Sequence, residues 1–425
     1  MTCLKNLEED MYKCQTLGNG LTIVGEEIPY LKSVSLGIWI NTGSRLEKPN
    51  ESGVSHFIEH MLFKGTKNRS AKDIARDIDN IGGQINAFTN KECTCYYVHL
   101  LDEHINIGID VLSDMILNST FNKNDINKER TVILEELKMY EDSLDDYSYD
   151  LLVENIYPND GLGMNILGNR KTIKNMQREN ILDYYSKYYV PNNAVISICG
   201  NFNFEDVVKT IETKFCNWEE KEVNIEVKEA DFKSCFIAKN KDSEQVNIAI
   251  NLKAIPEENE EEAYALAVVN NIFGGSTSSR LFQNIREDKG LVYSIYSSQT
   301  LYKKCGELGI FASTSEEYLK EVYDLIMKEI ENIRENYVTE EELKESKEQL
   351  KGNYILSLES INSKMLSHGE SMLLNNKIKD EDEIIEHINN VNMEQVKAII
   401  NKVFNIENLG VCIVGKNVEG VQIQL

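Results

Sequence analysis

Five consecutive residues, His56-Phe57-Ile58-Glu59-His60, hold most of the chemistry this sequence offers. On a helix, residues four apart lie on one face, so His56 and His60 are spaced to share one metal ion. Glu59 sits beside that face, within reach of a water in the metal's open position. A catalytic zinc site takes three protein ligands and a water, whose pKa it lowers toward about 7, and a carboxylate takes the water's proton. The chain has only six histidines, so this order is not expected from composition. Two partly exposed helical histidines are the bland alternative. The third ligand must come from elsewhere. Glu129 and Glu136 are two helical turns apart and share a face, on which Val132, Ile133 and Tyr140 are also expected. Two carboxylates on an apolar stripe are costly unless they meet a cation. Glu136 is therefore assigned as the third metal ligand and Glu129 as its support in the catalytic set. Glu135, about 100° further round the helix, points elsewhere. The count is one zinc per chain.

Those residues need a scaffold. Residues 21–26 and 33–41 read as strands, and 55–63 and 71–81 as helices. Residues 84–101, rich in Thr, Tyr, Val and Phe, read as extended strand, and 104–118 and 124–139 as helices. Strands and helices do not alternate strictly, which predicts an α+β fold rather than a doubly wound parallel sheet. The chain also repeats itself. Residues 173–201 match 388–416 without a gap: Ile173, Asn175, Glu179, Lys187, Asn193 and Gly200 recur as Ile388, Asn390, Glu394, Lys402, Asn408 and Gly415. Both copies lead from a charged helical stretch into an apolar strand that ends in glycine. Duplication predicts two similar domains, 1–216 and 232–425, joined by the charge-rich linker 217–231. Each is of a size that normally holds one core.

Composition excludes several classes. The formal net charge of −25 argues against nucleic acid, which asks for a basic patch. Nine cysteines include one close pair, Cys93 and Cys95, and no second pair to complete a thiolate zinc site. Reduced, mostly buried cysteines are expected. No stretch approaches the roughly 18 apolar residues of a membrane span. Residues 1–13 are charged throughout and lack the apolar core of a signal peptide. With a composition rich in Lys, Asn, Ile and Glu and poor in Pro, this predicts a bacterial cytoplasmic protein.

Beyond the five-residue motif, longer stretches resemble the pitrilysin/insulinase superfamily of zinc metallopeptidases, in its mitochondrial-processing-peptidase-like bacterial branch. The H-x-x-E-H order is that of the inverzincins. The likeness runs through residues 53–66 around the motif, 82–92 after it, 129–139 with the two glutamates, and 274–282 in the second half. It covers nearly the whole chain. It implies a duplicated metallopeptidase domain, two homologous α/β-sandwich-like α+β domains facing each other across a chamber. Only the first half is expected to bind zinc, because His368 and His387 of the second stand too far apart for the motif.

The activity implied is that of a zinc-dependent endopeptidase acting on extended peptides or presequence-like segments, with Glu59 as general base. The resemblance places substrate as an added strand along Asn86, Ala87 and Phe88. It gives Arg286 a substrate carbonyl to hold, and Tyr293 both a substrate contact and a catalytic, oxyanion-type hydrogen bond. Family members often carry a His-Pro-Leu-Gly turn where this chain has Asp160-Gly-Leu-Gly163, a departure that bears on substrate preference. The superfamily also holds inactive members, so a non-catalytic scaffold or partner subunit of the same fold is the alternative. The presence of every metal and base residue favours the enzyme. The chain has half the length of four-domain relatives, which implies pairing: a homodimer is expected, a heterodimer is the other form. The acidic balance adds an expectation of basic peptide or unfolded-protein substrates.

Overall fold

The computed structural model describes residues 12–420, so residues 1–11 of the charged start lie outside the described residues. The first half opens with strands β1 (Lys13–Thr16), β2 (Thr22–Glu27) and β3 (Ser33–Ile40). Helices α1 (Val54–Leu62) and α2 (Ala71–Asp79) lead to strands β4 (Gln84–Thr89) and β5 (Thr94–Leu101). Then come α3 (Ile105–Asn118), α4 (Lys123–Asp142), α5 (Leu144–Ile156), α6 (Arg170–Asn175), α7 (Arg178–Tyr188), β6 (Ala194–Gly200) and α8 (Phe204–Phe215). The second half runs β7 (Cys235–Asn240), β8 (Val246–Lys253), α9 (Glu260–Phe273), a π-helical turn Phe282–Glu287, β9 (Val292–Tyr302) and β10 (Cys305–Thr314). It closes with α10 (Leu319–Asn336), α11 (Glu340–Ser357), α12 (Ile361–Asn375), α13 (Glu381–Asn390), α14 (Met393–Val403) and β11 (Leu409–Gly415). No helix among the described residues is long and apolar enough to cross a membrane.

The fold is α+β, as expected. One sheet has the order β1-β2-β6-β3-β5-β4 and the other β7-β11-β8-β10-β9. The orders match strand for strand once β1 is set aside. In each, one pair is parallel (β2 with β6, β7 with β11) and the remaining neighbours are antiparallel. The gapless sequence repeat reappears as α7 and β6 in one half and α14 and β11 in the other. The stretch 217–231 carries neither helix nor strand.

Two expectations need correction. Residues 84–101 are not one strand but a hairpin, β4 and β5, which pair from Gln84↔His99 to Thr89↔Thr94. The turn between them closes with Asn90 N–H donating to the Cys93 carbonyl at 2.8 Å. Arg45 holds it from outside, its backbone N–H on the Lys91 carbonyl (2.8 Å) and its guanidinium 2.7 Å from Glu92. Val132 is not on the buried face of α4 but 48% exposed. That face carries Ile126, Glu129, Ile133 and Leu137 instead, and Val132, about 100° round the helix from Ile133, lies outside it.

By its internal contacts the chain forms two compact units. The first takes residues 1–132, 171–224 and 357–380, and the second 133–170, 225–356 and 381–425. Each unit thus includes a helix that chain order would give to the other half. The central strands explain why. Strand β6 is buried along its whole length and β3 along nearly all of it, so both faces of the first sheet need cover. Helix α12 supplies one side, where Met372 and Leu373 meet Trp39, Cys95 and Val195. In the second unit α5 does the same, with Leu152, Val153 and Ile156 against Ala249, Cys412 and Val414. Helix α12 is also tied down by charge: Lys364 Nζ lies 2.7 Å from Glu26 Oε1, both side chains being buried.

The contact of α12 with the sheet leaves no slack. A Cβ at Gly369 would overlap the Trp39 indole, whose Nε1–H donates to Ser197 Oγ at 2.9 Å. Gly369→Ala is therefore expected to lower stability by about 1–3 kcal/mol. Gly352→Ala, in α11 with open space around it, should be neutral or stabilising by up to about 1 kcal/mol. Chemical denaturation followed by tryptophan fluorescence checks both, and equal effects would mean that α12 does not pack on Trp39.

Candidate metal centre

Helix α1 delivers the two histidines. Val54, Phe57, Ile58, Met61 and Leu62 bury it on nearly every side, and His56 is itself buried. Its N-cap is Gly53 at φ +90°, a left-handed conformation that favours glycine and leaves no capping side chain. Glu47 takes over the task. Its Oε2 accepts the Gly53 N–H (2.7 Å) and its Oε1 accepts the Ser55 N–H (2.8 Å). The carboxylate thereby satisfies orphan donors at the positive end of the helix. Burial pushes the Glu47 carboxyl up to about 8, against the pull of those same amides. The Ser55 hydroxyl donates to Tyr184 Oη at 3.0 Å, and Tyr184 Oη lies 2.7 Å from Thr42 Oγ1. The start of α1 is thus fixed to α7.

The other end of α1 is held by Glu129. This carboxylate is 5% exposed, with Oε2 3.1 Å from His60 Nδ1 and Oε1 2.9 Å from Lys64 Nζ. Two nitrogen partners compensate a charge that would be costly alone. With Nδ1–H turned to a carboxylate, His60 offers Nε2 to a metal, and the hydrogen bond makes that nitrogen a better donor.

His56, His60 and Glu136 each present a ligand atom, and these atoms all lie within 4.8 Å of one another. The two imidazole rings are 4.6 Å apart between centroids. Tetrahedral zinc with bonds of about 2.1 Å sets its ligands roughly 3.4 Å apart, so small adjustments close the site. Two imidazoles and one carboxylate, with a fourth position for water, are a donor set of catalytic zinc. The trio fits the ion. The division into units by contacts falls between Val132 and Ile133, inside α4, but that helix is unbroken. Glu136 is therefore carried to the histidines by the same helix as Glu129. Glu135 is exposed, as its position on the helix predicts.

Glu59 is half-buried next to this trio, and Thr89 of β4 donates to its Oε2 at 2.5 Å. Strand β4 is the last in its sheet, with no strand on its outer side among the described residues. Asn86 is exposed, and its Oδ1 accepts the Ala87 N–H at 2.9 Å. The Phe88 ring packs edge-on against Trp39 at 5.5 Å and near Tyr97. Arg286 and Tyr293 belong to the second unit. Arg286 stacks its guanidinium 4.6 Å over Phe282 in the π-helical turn, and Tyr293, near the start of β9, is 76% exposed.

His56, His60 and Glu136, singled out by their spacing, come together in the structure, with Glu59 and Glu129 beside them. Sequence reading missed the supports: Glu47, Lys64, Thr89 and Tyr184. Lys64 alone had a local signal, four residues after His60 and next to the helix end. Glu47 stands six residues before the helix cap without a helical spacing to mark it, and Thr89 and Tyr184 come from more distant parts of the chain.

The family profile described as "Insulinase (Peptidase family M16)" matches residues 22–170, and "Peptidase M16 inactive domain" matches 175–350. A Bacillus subtilis protein called "Uncharacterized zinc protease YmxG" is 44% identical over 394 residues, covering 93% of this chain and 96% of its own. The chain belongs to the insulinase, or M16, peptidase family. An "Uncharacterized zinc protease" of Rickettsia felis is 35% identical, covering 93% of this chain and 96% of its own. The fold is shared with a crystal structure of a protease from Helicobacter pylori: TM-score 0.89, 20% identity, 95% of this chain and 99% of that one. A structure from Pseudomonas fluorescens, described as a peptidase M16 inactive domain, has TM-score 0.90 at 18% identity, covering 97% and 100%. The H-x-x-E-H segment and both glutamates of α4 fall inside the part matched to the insulinase profile. Relatives that bear the name zinc protease support the use of zinc by this M16 chain.

If Glu129 aligns His60, Glu129→Ala should weaken zinc binding about 10–100-fold. Competition against a chromophoric chelator measures this. An unchanged affinity would show that His60 needs no such partner.

Proposed function

We propose that this M16 protein is a zinc-dependent endopeptidase with one catalytic zinc per chain. The observation that carries the proposal is the convergence of His56, His60 and Glu136, with Glu59 oriented beside them by Thr89. When bound, zinc supplies a Lewis acid and a water acidic enough to ionise near neutral pH. Glu59 takes the proton of the attacking water and hands it to the leaving amine. Thr89 keeps that carboxylate in one rotamer, and Glu129 keeps the His60 ring in one plane. Helix α1, capped by Glu47, keeps both imidazoles at one spacing.

Extended peptides are the proposed substrates. The outer edge of β4 supports this: a peptide pairing there takes up main-chain hydrogen bonds largely independent of its sequence. The Asn86 side chain already bonds the Ala87 N–H, a bond that an incoming strand would replace. Phe88 would contribute its main chain, since its ring is engaged with Trp39. Family resemblance and the exposure of Tyr293 support roles for Arg286 on a substrate carbonyl and for Tyr293 on the developing oxyanion. The duplicated-domain division, 1–216 and 232–425 about a 217–231 linker, belongs to the same proposal, as do a chamber between the domains and pairing of chains as a homodimer. A bacterial cytoplasmic setting is part of it too, supported by bacterial relatives. A non-catalytic scaffold of the same fold is the competing reading, and the complete metal and base set supports the enzyme over it.

Glu59→Gln should retain zinc and lose about 10²–10⁴-fold or more in kcat on a mixed peptide library read by mass spectrometry. Cleavage by the variant at the wild-type rate would overturn the mechanism. Cleavage by neither protein would favour the scaffold. If the net charge of −25 draws basic peptides, raising salt from about 50 to about 500 mM should raise KM for them and leave neutral peptides alone. Equal behaviour of the two peptide classes would remove the preference for basic substrates.

A further inference from the structure

The second unit holds a different cluster of metal-binding side chains, well away in sequence from any H-x-x-E-H motif. Glu383 and His387 are four residues apart on α13, and Glu260 and Tyr264 are four apart on α9. Each helix thus presents a pair on one face. The two carboxylates converge on the same imidazole nitrogen: His387 Nε2 lies 3.4 Å from Glu260 Oε1 and 4.0 Å from Glu383 Oε1. The imidazole is held in plane by Tyr264, on which it stacks with centroids 4.9 Å apart and an interplanar angle of 3°. Three donor atoms at these separations need only small movements to reach the roughly 3.4 Å spacing around tetrahedral zinc.

We infer that Glu260, Glu383 and His387 form a second, non-catalytic site for a transition-metal cation of the zinc class, which ties α13 to α9. An imidazole donor selects zinc, cobalt, nickel or copper over calcium and magnesium, which prefer all-oxygen sites. Two carboxylates neutralise the charge of a divalent ion. Their side chains and that of His387 are 33–36% exposed, so the ion enters from solvent and keeps water as its remaining ligand. Both helices begin with acidic first turns, Glu260 to Glu262 and Glu381 to Glu383, which add to the local attraction for cations. The site goes beyond the peptidase reading and departs from the expectation that only the first half binds zinc.

A third trio, Glu26, Cys199 and His368, has a thiol in place of one carboxylate and a different occupant. There the Lys364 ammonium already sits 2.7 Å from Glu26, and the two ring nitrogens of His368 face different partners, Cys199 at 3.5 Å and Glu26 at 3.7 Å. That arrangement is a buried polar lock for α12. At His387 both oxygens face one nitrogen.

The test is zinc stoichiometry of the full chain, by equilibrium dialysis against buffered free zinc and elemental analysis. Wild type should hold two zinc ions, His387→Ala one, and a His56→Ala/His60→Ala variant one. Glu383→Gln, the milder change, should weaken the second site at least tenfold with the circular dichroism spectrum unchanged. Peptidase activity of His387→Ala should equal wild type. One zinc in wild type, lost with His56 and His60 and unaffected by His387→Ala and Glu383→Gln, would overturn the inference. It would mean that Glu260 and Glu383 only flank the imidazole without holding an ion. A zinc lost with His387 but unaffected by the first-half variant would support the second site while refuting the catalytic one.

Discussion

A catalytic metal asks its ligands to be set within about half an ångström before it arrives. In the proposed zinc site that demand falls first on one nine-residue helix, α1, which would have to present two imidazoles four residues apart at a fixed attitude. The helix is too short to hold itself in water and takes its stability from its surroundings. Two buried carboxylates fix its ends. Glu47 bonds two amides at the start, where glycine leaves no side chain to cap the helix. Glu129 takes His60 Nδ1 and Lys64 at the finish.

The same constraint shapes α4. Its buried face carries Ile126, Ile133 and Leu137 with Glu129 in their midst, a pattern that an apolar core alone would reject. Lys64 and the His60 imidazole make Glu129 tolerable there, and Glu136, one face position on, stands where a cation would offset its charge. Burial, charge and metal binding are therefore one problem at this place. The sheets pose a second problem of cover. Their central strands are buried on both faces, and each unit achieves this with a helix drawn from elsewhere in the chain, α12 for the first and α5 for the second.

Much of this was legible in the residues because the signals are local. His56, Glu59 and His60 declare their spacing on a helix, and Glu136 is told from Glu135 by the angle between neighbours. The repeat at residues 173–201 and 388–416 foretold two similar domains, since one α–β step of each copy could be aligned without a gap; their matching strand order became visible only in the structure. What was not legible depends on pairings that helix or strand spacing does not encode. Nothing near Glu47 says that its partners are the amides of Gly53 and Ser55, and nothing near Thr89 says Glu59. The hairpin at 84–101 was hidden because the turn Asn90-Lys91-Glu92-Cys93 interrupts a run of good strand formers and is held by Arg45 from another loop. An amphipathic helix such as α12 advertises a buried face but not which sheet it covers. Val132 was misplaced because an apolar residue on a metal-bearing helix was read as core when it faces out.

The central claim is that His56, His60 and Glu136 together hold a zinc ion. The most direct measurement is a crystal structure of the zinc-loaded protein with anomalous data collected on both sides of the zinc absorption edge. The account predicts a strong zinc-specific peak about 2.0–2.2 Å from His60 Nε2, a nitrogen of His56 and a Glu136 oxygen. A zinc-loaded crystal with no peak between these three side chains would contradict it.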